Sequence, residues 1–109
     1  MNREEKIIKD KIELNKRIAL FDGDINSIDN SFSQSRNCTV ENLKFTESWD
    51  WLMPVYKKIK LLVEDLEGDS FMFLESKLYR DLDFLATTEV FAKQLDSIIM
   101  HYEAETEID

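Results

Sequence analysis

Glycine, proline, cysteine and histidine are nearly absent from this chain of 109 residues, which holds two Gly, one Pro, one Cys and one His. So few turn-forming residues argue against a sandwich or barrel of many short strands. A single cysteine, Cys38, leaves no partner for an intrachain disulfide, and the expected setting is a reducing compartment, the cytoplasm. No apolar run approaches the roughly 20 residues of a membrane span. The opening residues alternate charges without the apolar stretch of a signal peptide, so neither membrane nor export is expected. Positive charge is also scarce: 14 Lys and Arg stand against 23 Asp and Glu. Phosphate backbones are bound through Lys and Arg that displace counterions, so direct nucleic-acid binding is disfavoured. A basic protein surface fits the sign better.

What is present suits a folded chain of ordinary domain size, with 43% apolar and 34% charged residues. We expect one domain over 1–109. The charge is uneven. Residues 1–21 carry six bases against four acids, whereas 64–109 carry 13 acids against Lys77, Arg80 and Lys93.

Ile7, Leu14, Ile18 and Phe21 share one helical face and predict an amphipathic helix over 1–21, with Asn2 as N-cap and Gly23 as its stop. The segment 22–45 is rich in Asp, Asn and Ser. It predicts an acidic loop, followed by a short strand over 38–45. A central helix is expected within 46–67, where Leu52, Val55, Ile59, Leu62, Val63 and Leu66 recur at three-four spacing and Gly68 closes the run. Pro54 is comfortable only in a first turn, so the helix begins near Asp50 or is kinked. Phe71-Met72-Phe73-Leu74, followed by alternating Leu78, Leu82 and Phe84, predicts a β-hairpin over 70–84 turning near Glu75–Lys77. A last helix is expected over 87–104, capped by Thr87 or Thr88. The sum is a small α+β domain, a single-layer antiparallel sheet of two or three strands packed with about three helices.

Lys44–Ile59, KFTESWDWLMPVYKKI, resembles small uncharacterised phage and mobile-element proteins of the Bacteroidetes. They share the octet Ser48, Trp49, Asp50, Trp51, Leu52, Met53, Pro54, Val55, continued by Lys58 and Ile59. Asn15–Gly23 is similar to a segment that precedes this motif in the same family. The resemblance implies an α-β-α sandwich-like domain of phage origin acting in a host cell, and it implies no activity. The chain departs from the pattern in its extra residues before Asn15, its longer loop after Gly23 and its acidic second half.

No catalytic arrangement emerges, and an enzyme is not expected. Asp22, Asp24 and Asn26 imitate the start of a calcium loop, but Ser27 replaces the required Gly and Ser33 the bidentate Glu. Cys38 and His101 are too few for a closed zinc site. No metal or other cofactor is therefore expected. Lys57, Lys58 and Lys60 form the one compact basic cluster outside the first helix.

Trp49 and Trp51 cannot share a helical face. One is expected to seal the core, and Trp49 is the candidate anchor for a partner. Glu64, Asp65, Glu67 and Asp69 crowd the end of the central helix, where the dipole disfavours negative charge. Joined by Glu75, Asp81 and Asp83 of the expected hairpin, they would form a contiguous acidic face. The expected function is thus a non-enzymatic accessory protein that docks Trp49, Asp65, Glu67, Asp69, Glu75, Asp81 and Asp83 on a basic surface of a host protein. A defence nuclease is the natural target class, as for anti-CRISPR proteins. The alternatives are a self-associating module, such as a homodimer, and a small DNA-binding regulator using the basic first helix.

Overall fold

A computed structural model describes residues 2–27 and 29–106. Its helices are α1 (Arg3–Asp22), α2 (Trp49–Glu64), α3 (Gly68–Arg80) and α4 (Thr88–Thr106). Between α1 and α2 lie two two-residue strands, β1 (Phe32–Ser33) and β2 (Cys38–Thr39), and a 3-10 turn over Val40–Asn42. The strands pair antiparallel, with Phe32 opposite Thr39 and Ser33 opposite Cys38.

Local chemistry sets the ends of α1. The Glu5 amide donates to Asn2 Oδ1 at 2.8 Å, and Gly23 at φ 86° turns its N–H back to the Ala19 and Leu20 carbonyls. A left-handed residue at that point favours glycine, which has no Cβ to clash. Helix α2 runs unbroken from Trp49, with Pro54 in its second turn. The carbonyl that Pro54 leaves without a helical donor belongs to Asp50, an exposed residue that water can reach.

The expected hairpin over 70–84 is corrected by the structure: those residues form α3 and the loop that follows it. Phe71, Leu74 and Leu78 stand at three-four spacing and turn one stripe toward the core. The segment Gly68–Arg80 has no β-branched residue to favour a strand. Asp69 in its first turn and Lys77 and Arg80 in its last complement the dipole. The expected sheet shrinks accordingly to the two-residue strands of the β1–β2 ladder. The described residues are helix-dominated, with four helices where about three are expected.

Helix α4 touches the three other helices and buries Phe91, Ala92, Leu95, Ile98 and Ile99 among them. Thr87 caps it, its Oγ1 accepting from the Val90 amide. Phe45, Ile18, Leu52, Ile59 and Leu74 complete the sealed interior. One polar chain crosses this interior. Asn15 Oδ1 accepts from the Thr46 amide at 3.1 Å, and Thr88 Oγ1 donates to the Thr46 carbonyl at 2.8 Å, tying α1 to the start of α4. The composition of 105–109 predicts a frayed end; α4 runs on to Thr106, and 107–109 lie outside the described residues.

Candidate protein-interaction surface

Trp49 and Trp51 lie on opposite sides of α2, and each is half-buried against the core. The Trp49 ring packs on Phe91 at 5.0 Å. Trp51 meets Phe45 edge-on at 5.2 Å and is roofed by the Arg36 guanidinium, 4.2 Å from its centroid. Trp49 thus has a structural partner and keeps only part of its surface for another molecule.

Arg36 ties Asp22 and Asp24 to Trp51. Beside its contact with Trp51, its Nε lies 3.3 Å from Asp24 Oδ2 and its guanidinium 3.7 Å from Asp22. Buried Ser33 adds a second tie. Its hydroxyl donates to the Asp24 carbonyl and accepts from the Arg36 amide. Two carboxylates that imitate calcium ligands in the sequence are therefore turned toward an arginine. Burial, reinforced by repulsion from Asp24, pushes the Asp22 carboxyl above its ordinary 3.8 despite Lys58 and Arg36 nearby. Among the described residues no group of three His, Cys, Asp or Glu is arranged to hold a metal ion. Cys38 sits half-buried in β2, whereas the His101 ring meets Phe73 edge-on between α3 and α4.

The basic cluster on α2 disperses. Lys58 donates to the Phe21 carbonyl at 2.8 Å and covers the open end of α1. Lys60 turns instead toward α3, and Lys57 toward solvent.

The acidic residues divide into two groups. Glu64 and Asp65 end α2, but Glu67 is the N-cap of α3 and Asp69 lies in its first turn. The dipole therefore opposes only the first pair and favours the second, because a new helix starts where the sequence suggests a hairpin. All four are exposed, and none joins an ion pair among the described residues. The fold adds a fifth, since Ser70 Oγ donates to Glu105 Oε2 at 3.0 Å and brings the end of α4 to this corner.

Asp81 and Asp83 belong elsewhere. Asp81 is the C-cap of α3, roughly 20 Å along the helix from Glu67 at 1.5 Å per residue. It pairs with Lys77 at 3.2 Å, and Asp83 Oδ1 accepts from the Leu85 amide. The expected contiguous face of Asp65, Glu67, Asp69, Glu75, Asp81 and Asp83 is therefore not formed as one surface. Asp65, Glu67 and Asp69 share a corner with Glu64 and Glu105, while Glu75 faces α2 halfway along α3.

Glu75 lines a groove between α2 and α3 with a cavity of about 170 Å³. Val63, Phe71 and Leu78 form its floor, Tyr56 and Tyr79 its walls, and Lys60, Glu64 and Glu75 its polar rim. Phe71, Glu75 and Tyr79 follow at four-residue steps, a helical spacing hidden in the sequence by the run Phe71–Leu74. Glu105 gives no such signal, since only the tertiary fold sets it beside Ser70.

No protein-family model, no curated protein and no solved structure matches the chain. No helix among the described residues is long and apolar enough to cross a membrane.

Proposed function

We propose that the chain is a non-enzymatic binding protein whose acidic α2–α3 corner docks on a basic surface of another protein. One observation carries this reading: Glu64, Asp65, Glu67, Asp69 and Glu105 converge at one corner, exposed and without an ion pair among the described residues. Unpaired surface carboxylates of one sign steer a positively charged partner and raise its association rate. The resemblance of Ser48–Val55 to phage and mobile-element proteins supports a host protein as that partner. A nuclease involved in defence, with its basic nucleic-acid channel, suits it as an inhibitor target.

The test is a pull-down from nuclease-treated host lysate with the native chain and two charge-reversed variants. Reversal of Asp65, Glu67 and Asp69 to Lys is expected to abolish capture of a basic protein retained by the native chain. Reversal of Asp81 and Asp83 is expected to leave it intact. Equal capture by all three proteins refutes the corner as the docking surface.

Self-association is the second reading, favoured by one observation on α1. Its first eight residues, Arg3–Asp10, are exposed, with Ile7 at 52% and Ile8 at 59% of full accessibility. Light scattering that shows one concentration-independent monomer mass removes this reading.

A further inference from the structure

The α2–α3 groove sits beside the acidic corner, yet its interior is apolar. Its volume of about 170 Å³ lies below the roughly 300–1,000 Å³ of small-molecule sites and suits one large side chain instead. The floor of Val63, Phe71 and Leu78 offers contact to an aliphatic stem. Tyr79, 74% exposed, offers an aromatic face, and half-buried Tyr56, its ring packed against Phe84 and Phe91, forms the other wall. At the mouth stand the carboxylates of Glu64 and Glu75, opposed by the single cation Lys60, and none of the three is ion-paired among the described residues. Asp65, Glu67 and Asp69 lie just beyond.

We infer that this groove takes an arginine side chain carried on an amphipathic segment of the partner. Arginine matches each part of the lining. Its three methylenes lie along apolar surface, its planar guanidinium stacks on tyrosine, and its fork of N–H donors meets carboxylates. Lysine shares the apolar stem and can pair with a carboxylate, but as a compact hydrated charge it lacks the planar fork and gains less from the aromatic walls. Lys60 lowers the affinity of the mouth for a cation and favours a side chain able to spread its donors over both carboxylates. The inference rests on the protein-binding reading above and specifies its anchor.

The experiment is an amide-resonance titration of the full chain with a short acetylated, amidated peptide of leucine and arginine. Matched peptides carry lysine or neutral citrulline at the arginine positions. The arginine peptide is expected to move the resonances of Lys60, Glu75 and Tyr79, the lysine peptide to bind several-fold more weakly, and the citrulline peptide not to bind. Glu75→Gln and Tyr79→Ala are expected to weaken the arginine peptide about tenfold, a difference of about 1.4 kcal/mol. Lys60→Gln is expected to tighten it. Both residues tested by loss are partly or largely exposed, so circular dichroism should match the native chain.

Equal binding of arginine and citrulline peptides overturns the inference, as does the absence of binding or a set of shifts confined to Asp65–Asp69 and Glu105. Its failure is separable from that of the broader reading. If Glu75→Gln and Tyr79→Ala retain a captured partner that the corner reversal loses, the groove is refuted and corner docking stands. If the corner reversal also retains the partner, corner docking falls with it.

Discussion

Arg17 of α1 and Asp96 of α4 form a forked ion pair, with Arg17 Nη2 3.0 Å and Nε 3.1 Å from Asp96 Oδ2 and Nε 3.3 Å from Oδ1. The Asp96 side chain is only 9% exposed, while that of Arg17 is 44% exposed. A buried carboxylate facing an arginine at the rim joins the helices at either end of the chain. Removing the arginine strands a charge in a poorly solvated place, which costs more than the pair itself contributes. Arg17→Met is expected to destabilise the protein by about 2 kcal/mol, below the roughly 3–5 kcal/mol of a fully buried pair because water can reach this rim. Asp96→Leu in the same chain should recover part of that loss. Urea denaturation of the two single variants and the double variant measures the coupling, and strictly additive losses would exclude it.

Asp22 supplies a pH-dependent test of the Arg36 clamp. Its folded carboxyl holds its proton above the ordinary 3.8, chiefly through burial and then through Asp24. The folded state therefore binds the proton more tightly than the unfolded chain does. Ionising Asp22 costs stability above the folded value, and that cost fades as pH falls toward 3.8. Asp22→Asn is expected to raise the melting temperature near neutral pH, with the gain shrinking to nothing in acid. A gain independent of pH would show that the charge is not the cause. Arg36→Ala should have the opposite sign, because it removes the partner of both carboxylates and the roof over Trp51.

Ser76 distinguishes a helix from a hairpin between residues 68 and 84. It lies inside α3, where proline removes a backbone hydrogen bond and clashes with the preceding turn, at a cost of about 3 kcal/mol or more. In the hairpin that the alternation suggests, position 76 falls in the turn, where proline is readily accepted. Ser76→Pro is accordingly expected to lower stability by about 3 kcal/mol and to reduce helical ellipticity. Unchanged ellipticity and stability would contradict α3.

Local signals account for what was legible in the chain. Asn2 and Gly23 bracket α1 through hydrogen bonds to their own neighbours. The three-four spacing from Leu52 to Val63 predicts the buried face of α2, and the two-residue offset of the tryptophans sends them to opposite sides. The run Phe71-Met72-Phe73-Leu74 misleads, because four consecutive apolar residues erase the helical period. Met72 and Phe73 are in fact exposed, and only the neighbours of α3 decide which of the four face the core. The acidic surface misleads for a related reason. Charge is visible in the sequence, but its grouping depends on where helices begin and end.

The sequence by itself determined the four features that depend on near neighbours: the caps of α1, the stripe of α2, the Asp-, Asn- and Ser-rich composition of 22–37 and the excess of negative charge. Tertiary structure decided the rest. It turned Asp22 and Asp24 toward Arg36, gave buried Asp96 its arginine, set Glu105 beside Ser70 and parted Asp81 from Asp65. Each of these depends on the free energy of bringing distant residues together in three dimensions. A charge or an apolar run has no fixed meaning until its neighbours, water or protein, are in place.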